Sequence, residues 1–369
     1  MMKKRIKISQ DIKFNINKKK GKHMNKITKI FLVILSTVSF TLSQVSAGEL
    51  AVTGGATATY KIGGADGSAG KGLGVSNEID FTASGELDNG FTWTWQTQLD
   101  GASTLNDDTK MVVGTDYGSV AMMISEGGLS SELGYGIGAM GVGSDYTGPM
   151  SIKFGTDVDV YNSLQYHMPA GMLPYGIVAK VAYVPNLSST AGSSAKADGA
   201  VETNAVGKDA TMYRVDAEPM AGLKIGADYF NASGSFATRY EEESASAYAK
   251  YSMGAFTVGI AQSGYSPTVN TGTESTFYET NMYGIQFAVN DALSLSYSQE
   301  KTQKSVRTAV ANAATVGTKV ELESTIDHLQ AAYVMGGATL GVAFADAGNS
   351  DYTSGLNEKV TTFSVAMAF

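Results

Sequence analysis

The chain of 369 residues contains no cysteine, so neither disulfide bonds nor thiolate metal sites can form. It has only three histidines and two tryptophans. After residue 47, no apolar run approaches the roughly 18 residues that a membrane-spanning helix needs. These absences argue against a disulfide-linked secreted domain and against a helical membrane protein.

Enzymatic and metal chemistry have few candidate residues. Beyond residue 47 the only histidines are His167 and His328, and no serine stands in the G-x-S-x-G setting of a hydrolase nucleophile. The two histidines lack the paired spacing of a zinc site. Acidic clusters such as those at 107–108 and 241–243 lack the D-x-D-x-D-G spacing of a calcium loop. We therefore predict no catalytic residue, no metal site and no cofactor.

The N-terminal region has the features of an export signal. Residues 24–47 contain a basic start, a short apolar run and a small-residue cleavage site at 45–47. Residues 1–23 are basic and lack apolar periodicity. Either translation begins at Met24, or this extension is removed together with the signal.

Removal of residues 1–47 changes the charge of the chain. That segment carries 11 of the 27 lysines and arginines and one of the 35 acidic residues, which leaves 16 basic and 34 acidic residues and a net charge of about −18 over residues 48–369. Nucleic acid is therefore not an expected partner, because phosphate binding needs clustered Lys and Arg. An exported chain of this kind can stay in the periplasm, leave the cell, or form a membrane β-barrel.

The end of the chain alternates between large apolar and small residues. Phe363, Val365, Met367 and Phe369 project to one side of a predicted strand, and the residues between them project to the other. The same alternation recurs at 91–100, 223–230, 292–300 and 338–346. Repeated period-two segments of about ten residues are typical of strands whose outer face meets hydrocarbon and whose inner face meets water.

Short and long connections alternate between these strands. The short ones are rich in Gly, Asn, Asp and Pro, which tight turns require, and lie at 88–90, 118–119, 169–174, 219–222, 254, 290–291 and 336–337. The long ones lie at 62–72, 101–109, 127–159, 185–210, 231–243, 264–275, 302–319 and 346–358. Seven short and eight long connections predict sixteen strands, an all-β, antiparallel transmembrane β-barrel.

On this strand layout, the export signal and the terminal Phe369, residues 48–369 resemble the sixteen-stranded trimeric general porins of Gram-negative bacteria, nearest to those of alphaproteobacteria. The resemblance implies a homotrimer in outer-membrane lipid that lets small hydrophilic solutes and ions diffuse through a water-filled channel. It also implies that the barrel-assembly machinery reads Phe369 and the strand before it. In this family the third long loop folds into the barrel and narrows the pore.

The candidate pore residues follow from that loop and from strand parity. The third long loop, 127–159, is the longest, and its candidate acidic residues are Glu126, Glu132, Asp145, Asp157 and Asp159. Parity places further charges on the lumen face, on the wall opposite the loop: Glu78, Asp80, Lys180, Arg214, Lys224 and Lys250. Because acidic residues outnumber basic ones, we expect the channel to prefer cations.

The first strand has small residues on its outward side. Gly54, Ala56 and Ala58 would let a neighbouring surface approach closely, which indicates a subunit contact. A lipid-facing strand with poor packing is the other reading. Two functional alternatives also stay open: a channel specific for sugar or phosphate, and a secreted β-rich surface or adhesion protein.

Overall fold

The computed structural model describes residues 48–65, 69–100, 105–141, 152–185, 187, 207–234, 242–267, 274–308 and 319–369. The predicted extension, the export signal and Asp145 lie outside these residues, so those predictions stay predictions. Among the described residues, no helix is long and apolar enough to cross a membrane.

The described chain is almost entirely β-structure. The strands are β1 (Glu49–Ala65), β2 (Gly70–Glu86), β3 (Thr92–Asp100), β4 (Leu105–Thr115), β5 (Gly118–Ile124), β6 (Asn162–His167), β7 (Val178–Val184), β8 (Gly207–Met220), β9 (Leu223–Gly234), β10 (Glu242–Met253), β11 (Phe256–Ser266), β12 (Glu274–Ala288), β13 (Leu293–Thr308), β14 (Lys319–Met335), β15 (Ala338–Gly348) and β16 (Glu358–Ala368). One short helix, α1 (Ser131–Tyr135), lies between β5 and β6.

The sixteen strands form a closed antiparallel barrel in chain order. β1 pairs with β16 over eleven register positions, from Gly55 opposite Ala368 to Ala65 opposite Glu358. Beyond these pairs, the backbones of Gly54 and Phe369 exchange two hydrogen bonds of 2.9 Å each. The barrel therefore has no free sheet edge, and the predicted fold class and strand number are confirmed.

Several predicted boundaries were wrong. The strands continue past the predicted loop starts, so that the connection expected at 62–72 is shorter and β1 runs to Ala65. Gly118 and Ser119 belong to β5, and the turn lies at Asp116 and Tyr117. Thr115 explains the shift, because its hydroxyl donates to the Gly118 carbonyl (2.8 Å) and accepts from the Tyr117 N–H (3.1 Å).

The two faces of the barrel differ in polarity. On β13 and β14, Leu295, Tyr297, Leu329 and Tyr333 share the outward face and are 39–52% exposed. The alternate residues on the same strands are polar and buried, among them Ser296, Ser298, His328 and Gln330. A protein folded around a compact apolar core would show the reverse. The outward face is therefore the one suited to lipid.

We expect a charged side chain on the outward face to destabilise the barrel. Leu295→Arg should lower the free energy of unfolding by about 1 kcal/mol or more, because Leu295 is an exposed apolar residue of the outward face and the cost of an arginine there rises with depth to about 2–4 kcal/mol at the bilayer midplane. The adjacent Ser294 lies on the polar face and is half-buried, so Ser294→Arg is the matched control. Urea titration of barrels folded into lipid vesicles measures both. Equal losses for the two variants would contradict the assignment of faces.

Candidate functional site: the polar barrel face and the third connection

The third connection, between β5 and β6, is described at 125–141 and 152–161. Its helix α1 begins after Ser130, whose side chain accepts from the Glu132 N–H, and ends at Gly136 in the left-handed conformation. Asp157 joins the two described parts, because its carboxylate accepts from the N–H groups of Leu129 (2.7 Å) and Ser130 (2.8 Å). The predicted pore residue Asp157 thus stabilises the connection itself.

This connection is hydrogen-bonded to the polar face of distant strands. The N–H of Ala139 donates to the Ser296 hydroxyl on β13 at 2.7 Å. Gln330 on β14 accepts from the Met140 N–H at 2.6 Å and donates to the Gly141 carbonyl at 2.7 Å. At its other end, Gln165 on β6 donates to the Gly127 carbonyl at 2.7 Å. Residues 127–141 therefore span the polar face from β6 to β14.

Apolar packing also fixes the connection. Tyr135 and Ile137 are 0% and 1% exposed and pack against glycines of β11 and β12. A Cβ atom at Gly284 would lie 2.6 Å from both Ile137 Cγ2 and the Tyr135 hydroxyl, and one at Gly259 would lie 2.7 Å from Ile137 Cδ1. Burial, and after it the charge of Glu300, raises the pKa of Tyr135, so its phenol stays neutral. The lack of side chains at Gly259 and Gly284 thus makes room for Tyr135 and Ile137.

Arg214 connects the barrel wall to the start of α1. Its Nε and Nη2 donate to the two carboxylate oxygens of Asp216 at 2.7 and 2.8 Å. Nη1 donates to the carbonyls of Leu129 (3.2 Å) and Ser130. The Tyr248 hydroxyl donates to the same Asp216 carboxylate at 2.9 Å. Arg214 is 7% exposed, so this paired charge is largely removed from water.

Asp228 is the second wall residue that contacts the start of α1. Its Oδ2 accepts from the Ser131 N–H at 2.5 Å and from the Ser246 hydroxyl. Arg214 and Asp228 are directly opposed on β8 and β9. At the start of α1, Arg214 therefore donates to backbone carbonyls, and the neighbouring Asp228 accepts from a backbone N–H group.

The basic residues predicted on the wall opposite the loop lie elsewhere. Arg214 contacts the third connection itself, so its predicted position across the lumen is wrong. Lys180 is directly opposed to Arg214 in the β7–β8 register. Lys224 and Lys250 are directly opposed to each other on β9 and β10. Parity alone could not reveal this, because it assigns a face and not a position around the barrel.

The acidic residues divide into two groups. Glu126 forms an ion pair of 2.5 Å with Lys110 on β4. Glu132 is half-buried and Asp159 is exposed, both on the third connection. Glu78 and Asp80 lie on β2 and accept from the amides of Gln98 (3.3 Å) and Gln96 (2.8 Å) on β3. In the order of strands around the barrel, β2 is opposite β10, which belongs to the wall that the connection contacts.

Lys110, which pairs with Glu126 at the start of the third connection, is a candidate site residue that the sequence analysis missed. It was adjacent to a predicted loop at 101–109, whereas β4 begins at Leu105 and places Lys110 opposite Gln96. The alternation of 109–113, in which Lys110 and Val112 share one face, was the available signal.

The predicted subunit-contact residues lie together on the outward face of β1. Ala56 and Ala58 are directly opposed to Met367 and Val365 of β16. The Phe369 ring covers Gly54, where an added Cβ would lie 3.1 Å from the ring. Around this patch, Leu73 and Val75 of β2 are 85% and 70% exposed, among the most exposed apolar side chains described.

The histidines bond to neighbouring amides. His167 Nε2 lies 2.8 Å from Gln165 Oε1, and His328 Nδ1 lies 2.7 Å from Gln330 Nε2. His328 is 0% exposed, so a substrate in the lumen would not reach it. Within the described ranges, no three His, Asp or Glu side chains converge in a way that could hold a metal ion.

The fold is similar to those of several outer-membrane proteins. OmpT of Vibrio cholerae lacking loop L8 is 13% identical and has a TM-score of 0.64, with 88% of this chain and 100% of that chain covered. An anion-selective porin from Comamonas acidovorans is 12% identical, with a TM-score of 0.63 and coverages of 87% and 100%. A mutant of the Rh. blastica porin is 14% identical, with a TM-score of 0.55 and coverages of 87% and 100%. No family model matches the chain, and no curated protein matches it in sequence.

We expect Arg214→Gln to destabilise the third connection. The variant leaves the half-buried Asp216 carboxylate and the Leu129 and Ser130 carbonyls without their charged donor, and breaking a charge pair costs up to about 3–5 kcal/mol when both partners are buried. Urea titration should show a loss of free energy of unfolding of up to that size. Arg307→Gln removes an exposed arginine of β13 and is the control. Identical behaviour of the two variants would show that Arg214 does not stabilise the connection.

Proposed function

We propose that this protein is an outer-membrane porin, a water-filled channel for passive diffusion of small hydrophilic solutes and ions. The observation that carries the proposal is the attachment of residues 127–141 to the polar face of a closed barrel whose other face is apolar. Backbone at membrane depth is tolerated only where protein or water satisfies its polar groups. The hydrogen bonds to Ser296, Gln330 and Asp228 meet that requirement.

The third connection is proposed to fold into the lumen and narrow it. The side chains that hydrogen-bond to it lie on the polar face between β6 (Gln165) and β14 (Gln330). A connection attached along that face reduces the open cross-section to the part bordered by β15, β16 and β1–β5. This is the constriction implied by the resemblance to alphaproteobacterial general porins, which we keep as part of the proposal.

Cation preference is the selectivity that the lumen charges favour. The charges of Arg214 and Lys110 are paired with Asp216 and Glu126. The exposed carboxylates of Asp159 and Glu78 lie on the connection and on the strands opposite its contacts. Rings of carboxylates favour cations. The anion-selective porin with the same fold illustrates that side chains, and not the barrel itself, decide the preference.

Site-directed labelling tests the channel and its constriction together. The natural chain has no cysteine, so Glu132→Cys provides a single reactive thiol on the connection. In planar bilayers with a salt gradient, the unmodified protein should give large ohmic steps and a cation-selective reversal potential. Attachment of a positively charged thiol reagent at residue 132 should lower the conductance and shift the reversal potential toward anions.

The control is Ser354→Cys, an exposed position in the last long connection, whose labelling should leave both quantities unchanged. Unaltered currents after complete labelling of Glu132→Cys would contradict the constriction. Absence of any conductance from the folded wild-type protein would refute the channel itself.

A sugar-specific channel is the second candidate, favoured by one observation. Tyr265, Tyr278 and Tyr352 form a continuous aromatic cluster, with ring centroids 5.9 and 5.3 Å apart, and the Lys304 ammonium lies 5.4 Å from the Tyr352 ring centroid. Aromatic faces pack well against sugar rings. Saturable block of the current by a neutral disaccharide would favour this candidate over the general pore.

The secreted surface-protein alternative is less suited to the structure, because it would leave the apolar outward face in water. For the two histidines we propose no catalytic role.

We further propose an outer-membrane homotrimer that contacts itself through β1, β2 and β16, with the barrel-assembly machinery recognising the strand that ends at Phe369. The exposed Leu73 and Val75 beside Gly54, Ala56 and Ala58 support this surface, because small residues between large ones let a second copy pack closely.

We expect Ala58→Trp to disrupt the trimer. Ala58 lies in an apolar depression between Tyr60, Leu73 and Phe363 on the outward face, and an indole there would prevent close approach. Ala247→Trp places the same side chain on the exposed outward face of β10 and should leave the oligomer intact. Sedimentation of the detergent-solubilised proteins measures the mass. Trimers of equal stability for both variants would place the contact elsewhere.

A further inference from the structure

The lumen face carries a pair of cations that the general pore does not require. Lys224 on β9 and Lys250 on β10 are directly opposed in the register. Directly opposed residues have Cα atoms about 4.5–5.5 Å apart, and like charges placed so are destabilising. Lys224 is exposed and Lys250 half-buried, and among the described residues neither has an ion-pair partner.

The acidic side chains nearest to this pair are directed elsewhere. Both carboxylate oxygens of Asp216 accept from Arg214, and one also accepts from Tyr248. The carboxylate of Glu218 accepts from the Gly222 N–H at 3.3 Å, in the turn between β8 and β9. Among the described residues, neither carboxylate forms an ion pair with Lys224 or Lys250.

On the β11 side of the two lysines, the neighbouring side chains carry hydroxyl and amide groups. Ser252 lies two residues beyond Lys250 on the same face, and its hydroxyl is 3.0 Å from that of Thr257 on β11. Thr257 is directly opposed to Gln286 on β12. Two cations followed by neutral hydrogen-bond donors, with no carboxylate between them, form a surface suited to an oxyanion.

Lys224 and Lys250 lie near one end of the barrel. Lys224 follows the short turn at 221–222, and Lys250 lies three residues before the end of β10 at Met253. The pair is therefore at the end of the lumen where the short turns lie, whereas Glu132 and Asp159 lie on a long connection from the opposite end. Acidic and basic regions thus follow each other along the pore axis.

We propose that Lys224 and Lys250, with Ser252 and Thr257, form a binding step for small dianions of the phosphate class at the short-turn end of the channel. The proposal rests on the proposed channel and adds a class of solute to it. An anion between the two ammonium groups offsets their mutual repulsion with two attractions, and each unit of negative charge should gain about fivefold in affinity from each lysine at contact distance in a water-like medium.

The test uses wild-type protein and the double variant Lys224→Gln/Lys250→Gln in planar bilayers, with inorganic phosphate added to potassium chloride on both sides. Wild-type conductance should fall saturably with phosphate, and the half-blocking concentration should rise by an order of magnitude or more in the double variant. Lys61→Gln is the control, because it removes one exposed lysine from the lumen face of β1. Lys224→Arg/Lys250→Arg should retain the block.

A second measurement does not depend on conduction. Phosphorus NMR lines of phosphate should broaden with detergent-solubilised wild-type protein and not with the double variant. Ohmic wild-type channels that phosphate does not affect, without line broadening, would overturn the dianion site and leave the channel standing. An equal block of wild-type and double variant would also overturn it. A folded wild-type protein without any conductance would overturn the proposed channel and, with it, this binding step.

Discussion

The structure depends on one constraint, which is that no backbone polar group may remain unpaired in hydrocarbon. An antiparallel sheet meets this constraint only when its first and last strands pair, and here β1 and β16 do so over eleven positions. Once the sheet is closed, successive side chains along each strand face alternately outward and into the barrel, so each position needs either an apolar or a polar residue. Apolar side chains on one face meet lipid and polar ones on the other face water, which explains why a protein with few buried large hydrophobic residues is nevertheless well specified.

The same constraint decides how the third connection can occupy the barrel. Its backbone carries donors and acceptors that a smooth aliphatic wall could not satisfy, and the wall supplies them from Ser296, Gln330, Arg214 and Asp228. Packing then adds to hydrogen bonding where Tyr135 and Ile137 contact the glycines of β11 and β12. A connection held at so many separate points has a defined position on the polar face of the barrel.

The sequence predicts the number of strands because period-two alternation and turn-forming residues are local signals. It does not predict strand ends well, since hydrogen bonding continues above the apolar band, as in β13, which runs to Thr308 although the loop was expected from 302. The site is less predictable still. The contact of Arg214 with Leu129 and Ser130 joins residues more than eighty positions apart, and no parity rule specifies it. Gly259 and Gly284 show a related limit, because a glycine within a strand indicates a close approach without identifying what approaches.

The pairing of the first strand with the last has a consequence for biogenesis. Gly54 cannot form its two hydrogen bonds with Phe369 until all the residues between them have been synthesised, so this edge of β1 stays unpaired while they are made. Such long-range pairing is slow and exposes unpaired strands to aggregation. A chain with this closure should therefore become a closed barrel only after β16 is available to pair with β1.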